Sequence, residues 1–332
     1  MKESKKIAII GAGSWGTAMA NLVADTGNES HLFSRDESLV DVINSTHINT
    51  KYLDGYELNS KIICKPLNKY KADYDFVFNA VPTQFVADFY KKYNISLEGM
   101  KIVNCSKGIE QKRNIGLFDI FTKHLGVPEE NYAVFTGPSH AEEVCKNRPT
   151  AIVVASKNPV LAESIQEATS NSFFRVYTST DVVGTELGGA VKNVMAIAAG
   201  IIDGYSLGDN AKAGLITRGL AEISRLGIEL GGDPVTFAGL SGLGDLVVTC
   251  YSRHSRNRKV GELLSQGLSL QDISDNYNFV AEGVFTAKAI KELSDQYGIE
   301  MPICEKMNEI LFEGKTIQDA IQELMGRRYT RE

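Results

Sequence analysis

The sequence contains no CxxC pair, no long apolar run and no excess of positive charge, and each absence removes a class of protein. Its five cysteines (Cys64, Cys105, Cys145, Cys250 and Cys304) are odd in number and widely scattered, and its five histidines form no cluster of metal-ligand spacing. That pattern argues against a disulfide scaffold or a zinc site, and predicts reduced thiols in a cytoplasmic protein without a metal. The apolar stretch 194–202 falls far short of the about 20 residues that a bilayer-spanning helix needs, so no stable membrane anchor is expected. The start MKESKKIAII imitates the charged opening of a secretory leader, but its apolar part stops after four residues at Gly11, too short for an h-region. With 35 Lys+Arg against 41 Asp+Glu, the formal net charge is −6. Neutralising nucleic-acid phosphates demands a cationic face, so no nucleic-acid partner is expected, although a local basic site stays open.

What the chain does have is length and apolar content. At about 150 residues per domain, 332 residues suggest two domains, and 43% hydrophobic residues supply an ordinary core. The first half alternates short β-branched runs (7–10, 30–34, 76–81, 101–106, 132–136, 151–155) with helical patterns such as 15–26 and 83–90. Nearly continuous apolar strands alternating with helices imply a buried, mostly parallel sheet. From about Thr185 strand-like runs almost vanish. Long helical patterns take over (186–202, 214–230, 286–296), separated by glycine-rich joints at 231–232 and 239–244. The predicted class is therefore α/β: a Rossmann-type domain over 1–187 followed by an all-helical domain over 188–332.

Gly11-Ala12-Gly13-Ser14-Trp15-Gly16 follows the first strand directly and opens a helix. In that context Gly11 permits a tight turn, Gly13 lets the backbone approach a pyrophosphate, and Gly16 lets helix pack on strand. The helix N-terminus adds amide donors and a positive dipole. A bare glycine turn is the alternative. Asp36, about 20 residues past the last glycine, has the spacing to bind the ribose 2′-hydroxyl of NAD. If the second strand ends at Ser34, then Ser34 and Arg35 face the ribose and accept a 2′-phosphate, so NADP is favoured with NAD tolerated. Three more strand-end loops, 79–83, 105–108 and 136–141, should line the same crevice.

Lys192 has Gly188, Gly189, Met195 and Ala196 as its helical neighbours, none of them an acid. A lysine on a face of tiny residues suggests close approach by a ligand, and burial would lower its pKa toward general-base range. A lysine snorkelling from an interhelical groove fits the same spacing. Asp245 ends a glycine-rich stretch, with Thr249 four residues on; it either orients the lysine amine or caps a helix. Arg253-His254-Ser255-Arg256-Asn257-Arg258-Lys259 crowds five basic-type residues where a helix at 260–264 begins, with Ser255 as a candidate N-cap. Cations at a helix N-terminus are electrostatically misplaced unless an anion sits there; phosphate suits it, and a solvated charge run is the alternative. Hydride transfer on a small phosphorylated alcohol or ketone would use all three features.

Together GAGSWGTA (11–18), SKGIE (106–110), TGPSHAEEV (136–144), ELGGAVKNVMAIAAGIIDG (186–204), LITRGLAEISRLG (215–227), GLSGLGDLVVTC (239–250) and SRNRKVG (255–261) resemble bacterial-type NAD(P)-dependent glycerol-3-phosphate dehydrogenase over nearly the whole chain, in order. The resemblance implies reversible reduction of dihydroxyacetone phosphate to sn-glycerol 3-phosphate, the backbone precursor of membrane phospholipids, by an enzyme that is a homodimer. It implies Lys192 as the proton-exchanging residue, with Asp245 beside it. Asn193, Thr249, Ser255, Arg256 and Asn257 fall on the substrate side, as do Gly137 and Ser139. Lys107 touches both cofactor and substrate. Gly11, Gly13, Ser14, Trp15, Gly16, Arg35, Ala141, Arg256, Val280 and Glu282 form the cofactor set. Ala281 departs from the family's usual valine, and residues 51–70 carry little that matches. A related β-hydroxyacid dehydrogenase, which pairs the same domain types, and a non-catalytic NADPH-binding module are the competing readings.

Overall fold

The computed structural model describes residues 3–277 and 281–328. The chain opens with β1 (Lys6–Ile10), α1 (Ser14–Asp25), β2 (Glu29–Ser34) and α2 (Glu37–Thr46). A small hairpin of β3 (Ile48–Asn49) and β4 (Leu53–Glu57) leads to β5 (Ile63–Pro66). Next come β6 (Phe76–Asn79), α3 (Val86–Lys92), β7 (Ile102–Asn104), the short α4 (Leu117–Asp119) and β8 (Tyr132–Thr136). This half closes with α5 (Ala141–Val144), β9 (Thr150–Ala155), α6 (Pro159–Thr169) and β10 (Phe174–Ser179). The described elements beyond are helices: α7 (Val182–Gly204), α8 (Asp209–Glu229), α9 (Pro234–Ala238), α10 (Asp245–Tyr251) and α11 (Arg256–Ser265), then α12 (Leu270–Asn276), α13 (Glu282–Tyr297), α14 (Pro302–Phe312) and α15 (Ile317–Met325).

The eight-stranded sheet runs β10-β9-β8-β7-β6-β1-β2-β5. Every pairing in it is parallel except β8 with β9. Its strands are apolar on both faces, as a covered sheet requires. In β1, Ile7 and Ile9 enter one core while Ala8 and Ile10 enter the core on the opposite face. In β8 the pattern repeats, with Ala133 and Phe135 on the first face and Tyr132 and Val134 on the second. Burying each large aliphatic or aromatic side chain this way stabilises the fold by about 1.5–3 kcal/mol. A third core lies among the helices around α7, which is buried along most of its length. The five cysteines stand unpaired, four of them buried.

The α/β class and the mostly parallel sheet match the sequence expectation, but several elements differ. Two strands, β5 and β10, and the β3–β4 hairpin were absent from it. Both are edge strands; β5 has only four residues, and β10 alternates buried Phe174 and Val176 with exposed Arg175 and Tyr177. The strand expected over 76–81 ends at Asn79, where the chain turns, and the helix expected over 83–90 is a 3₁₀ turn (Thr83–Phe85) followed by α3. The long helix starts at Val182 rather than 186, because the Asp181 carboxylate caps it by accepting from the Gly184 N–H at 2.8 Å. By length and composition α7 could cross a bilayer, yet 78% of its apolar window is packed inside the protein.

The sheet order reverses at β1, whose neighbours are β2 and β6, so the crevice at the carboxyl ends of β1 and β6 is the expected ligand position. In the helical half, α7 and α11 cross with almost no gap. A Cβ on Gly200 would meet the Arg258 carbonyl oxygen at 1.9 Å, and one on Gly261 would meet the Ile197 carbonyl oxygen at 1.9 Å. Two small residues thus set the helix bearing Arg256 directly on the helix bearing Lys192.

Candidate functional site

The loop after β1 is shaped by what its glycines face. Gly11 has φ +110°, and a Cβ there would lie 2.9 Å from the Ala80 carbonyl oxygen, so the turns after β1 and β6 are in contact. A Cβ on Gly16 would strike the Gly11 carbonyl oxygen at 1.8 Å. Gly13 is different: nothing lies within 4 Å of its would-be Cβ. The 12-residue α1 begins there with no side-chain cap and no acid in its first turn. Free amides, the positive end of a helix and open space above a glycine fit a pyrophosphate. The Trp15 Nε1 beside them is buried and has no partner. Below the loop, Asn49 donates to the Ala12 carbonyl oxygen (3.0 Å) and the Thr17 hydroxyl (2.7 Å). This fully buried asparagine fixes the loop, and as a lone residue in an unremarkable stretch it carried no sequence signal.

At the end of β2, Asp36 is committed elsewhere. Its carboxylate accepts from the Leu39 N–H (3.2 Å), the Ser38 hydroxyl (2.7 Å) and Lys51 Nζ (2.8 Å). Those partners hold its pKa well below the usual carboxylate range. Ser34 Oγ accepts from the Asp36 N–H at 3.0 Å, and the Arg35 side chain is exposed with no described hydrogen bond or ion pair. The strand does end at Ser34, the condition under which Arg35 faces the ribose.

The centre of the site is a buried cluster at the carboxyl ends of β7 and β8. Lys192 Nζ on α7 donates to Asp245 Oδ1 on α10 and to Thr249 Oγ1 at 2.8 Å. Thr249 in turn donates to the Asp245 carbonyl oxygen (2.6 Å), the i to i+4 relation read from the sequence. Lys107 Nζ, just past β7, reaches Asp245 Oδ2 (2.7 Å) and the Gly137 carbonyl oxygen (2.9 Å). Thr136 at the end of β8 adds a longer hydroxyl contact to Asp245 Oδ2 at 3.4 Å; sequence reading did not single it out. Asp245 is 1% exposed and Lys192 4%. Two lysines thus share one carboxylate. Burial pushes the Lys192 pKa down to about 7, and the Lys107 charge pushes the same way, while Asp245 opposes both.

The tiny residues around Lys192 serve the protein rather than a ligand. A Cβ on Gly188 would meet the Ser241 carbonyl oxygen at 2.7 Å, and one on Gly189 would meet Thr136 Oγ1 at 3.0 Å. They let the loops that carry Asp245 and Thr136 close on the lysine. Gly137 has φ +149° and turns the chain against Ile152, while Ser139 Oγ donates back to the Gly137 carbonyl oxygen at 3.0 Å. Ala141 is buried at the start of α5.

The basic segment is smaller than it reads. Its helix begins at Arg256, not at 260, with Ser255 capping by accepting from the Arg258 N–H at 3.2 Å. Arg258 is neutralised by Asp203 and Glu262, and Lys259 by Glu262. Arg256 pairs with no acid among the described residues; its Nη2 donates to Ser14 Oγ at 2.8 Å, across to the glycine loop. Asn257 donates to Asn193 Oδ1 (2.9 Å) and accepts from the Gly283 N–H (2.9 Å), tying α11, α7 and α13 together. Next to that junction Glu282 accepts from the Thr83 N–H at 2.8 Å. Its second oxygen and the Thr83 hydroxyl are buried with no partner among the described residues, and burial raises the Glu282 carboxyl to about 7. Val280 lies outside the described residues.

Two family models match in sequence order. The model described as the N-terminus of NAD-dependent glycerol-3-phosphate dehydrogenase covers residues 6–162, and the one described as its C-terminus covers 181–322. A glycerol-3-phosphate dehydrogenase [NAD(P)+] of Chlorobium limicola is 47% identical over 98% of this chain and 99% of its own. The protein of the same name from Bacillus velezensis is 46% identical over 99% and 96%. The crystal structure of glycerol-3-phosphate dehydrogenase from Coxiella burnetii superposes with a TM-score of 0.90 at 35% identity, covering 98% of this chain and 99% of that one.

Proposed function

The chain belongs to the NAD-dependent glycerol-3-phosphate dehydrogenase family, and from that premise we propose how its residues divide the reaction. The enzyme interconverts dihydroxyacetone phosphate and sn-glycerol 3-phosphate by hydride transfer with NAD(P)H. The observation that carries the residue assignments is the buried contact of Lys192 and Lys107 on one Asp245 carboxylate. It lies at the carboxyl ends of β7 and β8, on the same edge of the sheet as the loop that ends β1.

Bound NAD(P)H supplies the hydride in reduction, and NAD(P)+ accepts it in oxidation. The residues that would hold it are Gly11, Gly13, Ser14, Trp15 and Gly16 on the pyrophosphate, Arg35 on a 2′-phosphate, and Lys107, Ala141, Arg256 and Glu282 across the crevice. Lys192 delivers a proton to the carbonyl oxygen of dihydroxyacetone phosphate as its carbon is reduced, and takes the proton back in the reverse direction. A pKa near 7 lets one amine do both at neutral pH. Asp245 and Thr249 hold that amine in place, and Lys107 stabilises charge developing on the same oxygen. Arg256, Ser255, Asn257 and the start of α11 grip the phosphate, so binding energy remote from the reacting carbon fixes its orientation. Gly137, Ser139 and Asn193 line the substrate's other side.

On this reading residues 1–187 form the cofactor domain and 188–332 the substrate domain. NADPH is preferred, because Asp36 is occupied by Lys51 while Arg35 is free to meet a 2′-phosphate. The enzyme works in the cytoplasm, where its unpaired cysteines stay reduced. It is a homodimer. An apolar trough of about 1280 Å³, lined by Leu215, Ile303, Ile310 and Leu324 with both Arg225 and Glu300 at hand, offers the mixed charge that a self-complementary face needs; a monomer in sedimentation at micromolar concentration would count against it. The deciding assay follows NADPH and NADH oxidation with dihydroxyacetone phosphate and with β-keto acids. Turnover of the phosphorylated ketone, faster with NADPH, is expected. Preference for a keto acid overturns the residue assignments.

A further inference from the structure

The turn between β8 and α5 holds a titratable side chain that the mechanism above leaves unused. His140 stands at the start of α5 with φ −73° and ψ 131°, but its ring caps nothing. Its Nε2 is buried and has no hydrogen-bond partner among the described residues. Buried polar atoms in folded proteins are almost always paired, so an orphan beside a ligand crevice marks a partner that arrives with the ligand. Among the described residues none bonds it, and the nearby Asp245 carboxylate is engaged by Lys192, Lys107 and Thr136.

The surroundings define the missing partner. Burial first, and then Lys192 on α7, press the imidazole toward its neutral form; Glu142 on α5 opposes them, Lys107 after β7 adds to them, and Asp245 on α10 opposes last. On the far side the ring lies 5.9 Å from the ring of His254, in the turn that ends at the α11 cap Ser255. His140 therefore sits between the lysine pair and the start of the helix that carries Arg256. The positive charge of the lysine pair faces it, and a neutral N–H donor is what remains of it there. An anionic oxygen is the group that suits all three neighbours.

We propose that His140 Nε2 is a substrate contact, donating a hydrogen bond to the phosphate of bound sn-glycerol 3-phosphate or dihydroxyacetone phosphate. The inference rests on the phosphorylated-substrate reading above and adds a residue to it. A neutral donor strengthens the grip on the phosphate without bringing a third buried cation beside two lysines. Because the ligand is an anion, its arrival stabilises the imidazolium, and the His140 pKa rises on binding. A histidine remote from the phosphate would show no such response, and one merely near it would shift without contributing to the substrate KM.

The test has a spectroscopic and a kinetic arm. Nitrogen-resolved NMR of the NADPH-bound enzyme, which cannot turn over the alcohol, follows the ring through pH 5–9, with the His140 signal assigned by its loss in both His140→Leu and His140→Gln. Saturating sn-glycerol 3-phosphate should move its midpoint upward by about one unit, and glycerol should not; a midpoint unmoved by the phosphate ester overturns the proposal. In kinetics His140→Leu should raise the KM for dihydroxyacetone phosphate about tenfold with kcat and the NADPH KM nearly unchanged, and His140→Gln should restore most of the loss. Wild-type KM in the leucine variant refutes the contact. If that variant unfolds, His140→Gln still assigns the signal and the wild-type titration decides. Failure of the wild-type enzyme to reduce dihydroxyacetone phosphate would instead refute the underlying reading, before any variant is made.

Discussion

The two halves of the molecule prepare for charged ligands by opposite means. In the sheet half the preparation is made of backbone: glycines, free amides at the start of α1 and a single asparagine behind them. In the helical half it is made of side-chain charge taken out of water, with Lys192 and Asp245 both buried. Backbone amides carry no net charge, so a loop built from them waits for a pyrophosphate without desolvating an ion. Buried ions are costly, and they hold together only where each has its partner. The difference follows the tasks. A cofactor must be held and released, whereas a proton must be kept at an energy where it can move.

The sharpest way to break this contrast is to remove the buried amine. Lys192→Ala should lower kcat by about 10²–10⁴-fold while NADPH affinity stays within a few-fold of wild type, since the two halves would then fail separately. Turnover within tenfold of wild type would end the assignment. Arg256→Ala probes the seam between the halves, where the guanidinium reaches Ser14. Its expected effect is an increase of about tenfold or more in the KM for dihydroxyacetone phosphate, with a smaller loss of cofactor affinity. An unchanged kcat/KM would remove it from the phosphate site.

Smaller effects sharpen the backbone side. Gly13→Ala meets no protein atom, so the fold should keep its Tm while NADPH binding weakens roughly tenfold, because the methyl group fills the space left for the pyrophosphate. Full cofactor affinity in that variant would mean the dinucleotide lies elsewhere. The smallest effect concerns stability. Glu222 is buried, accepts from the Ile303 and Cys304 N–H groups at the start of α14, and has its carboxyl raised to about 7 by burial. A folded pKa above the unfolded one means stability that is complete below about 4.5 and lost as pH rises through 7. Between pH 5 and 8 the wild-type Tm should fall by a few degrees more than that of Glu222→Gln. Parallel curves would show that this carboxyl does not titrate in the folded protein.

The contrast also explains which features are legible in the sequence alone. The glycine loop is local: six consecutive residues after a strand, each with its own reason to be there. The central strands were legible because both faces are buried, which makes their apolar runs continuous. Edge strands such as β10 bury one face only, and β5 spans four residues with Ile63 exposed, so neither stands out. Lys192 was visible as a lysine without a local acid, but its acid lies 53 residues away on another helix. The basic segment was misjudged for the same reason. Asp203, which withdraws Arg258 from the crevice, is 55 residues upstream. Nothing local distinguishes an arginine that meets a ligand from one that meets a distant aspartate.

Burial and the neighbouring Lys107 bring Lys192 near neutrality despite its contact with Asp245. The pH dependence of kcat/KM for sn-glycerol 3-phosphate oxidation tests it directly, since that direction needs the neutral amine. We predict a rate that climbs with pH through an apparent pKa near 7 and levels above it, with that limb missing from the residual activity of Lys192→Ala. A wild-type profile that keeps climbing to pH 10, or the same limb persisting in Lys192→Ala, would contradict it.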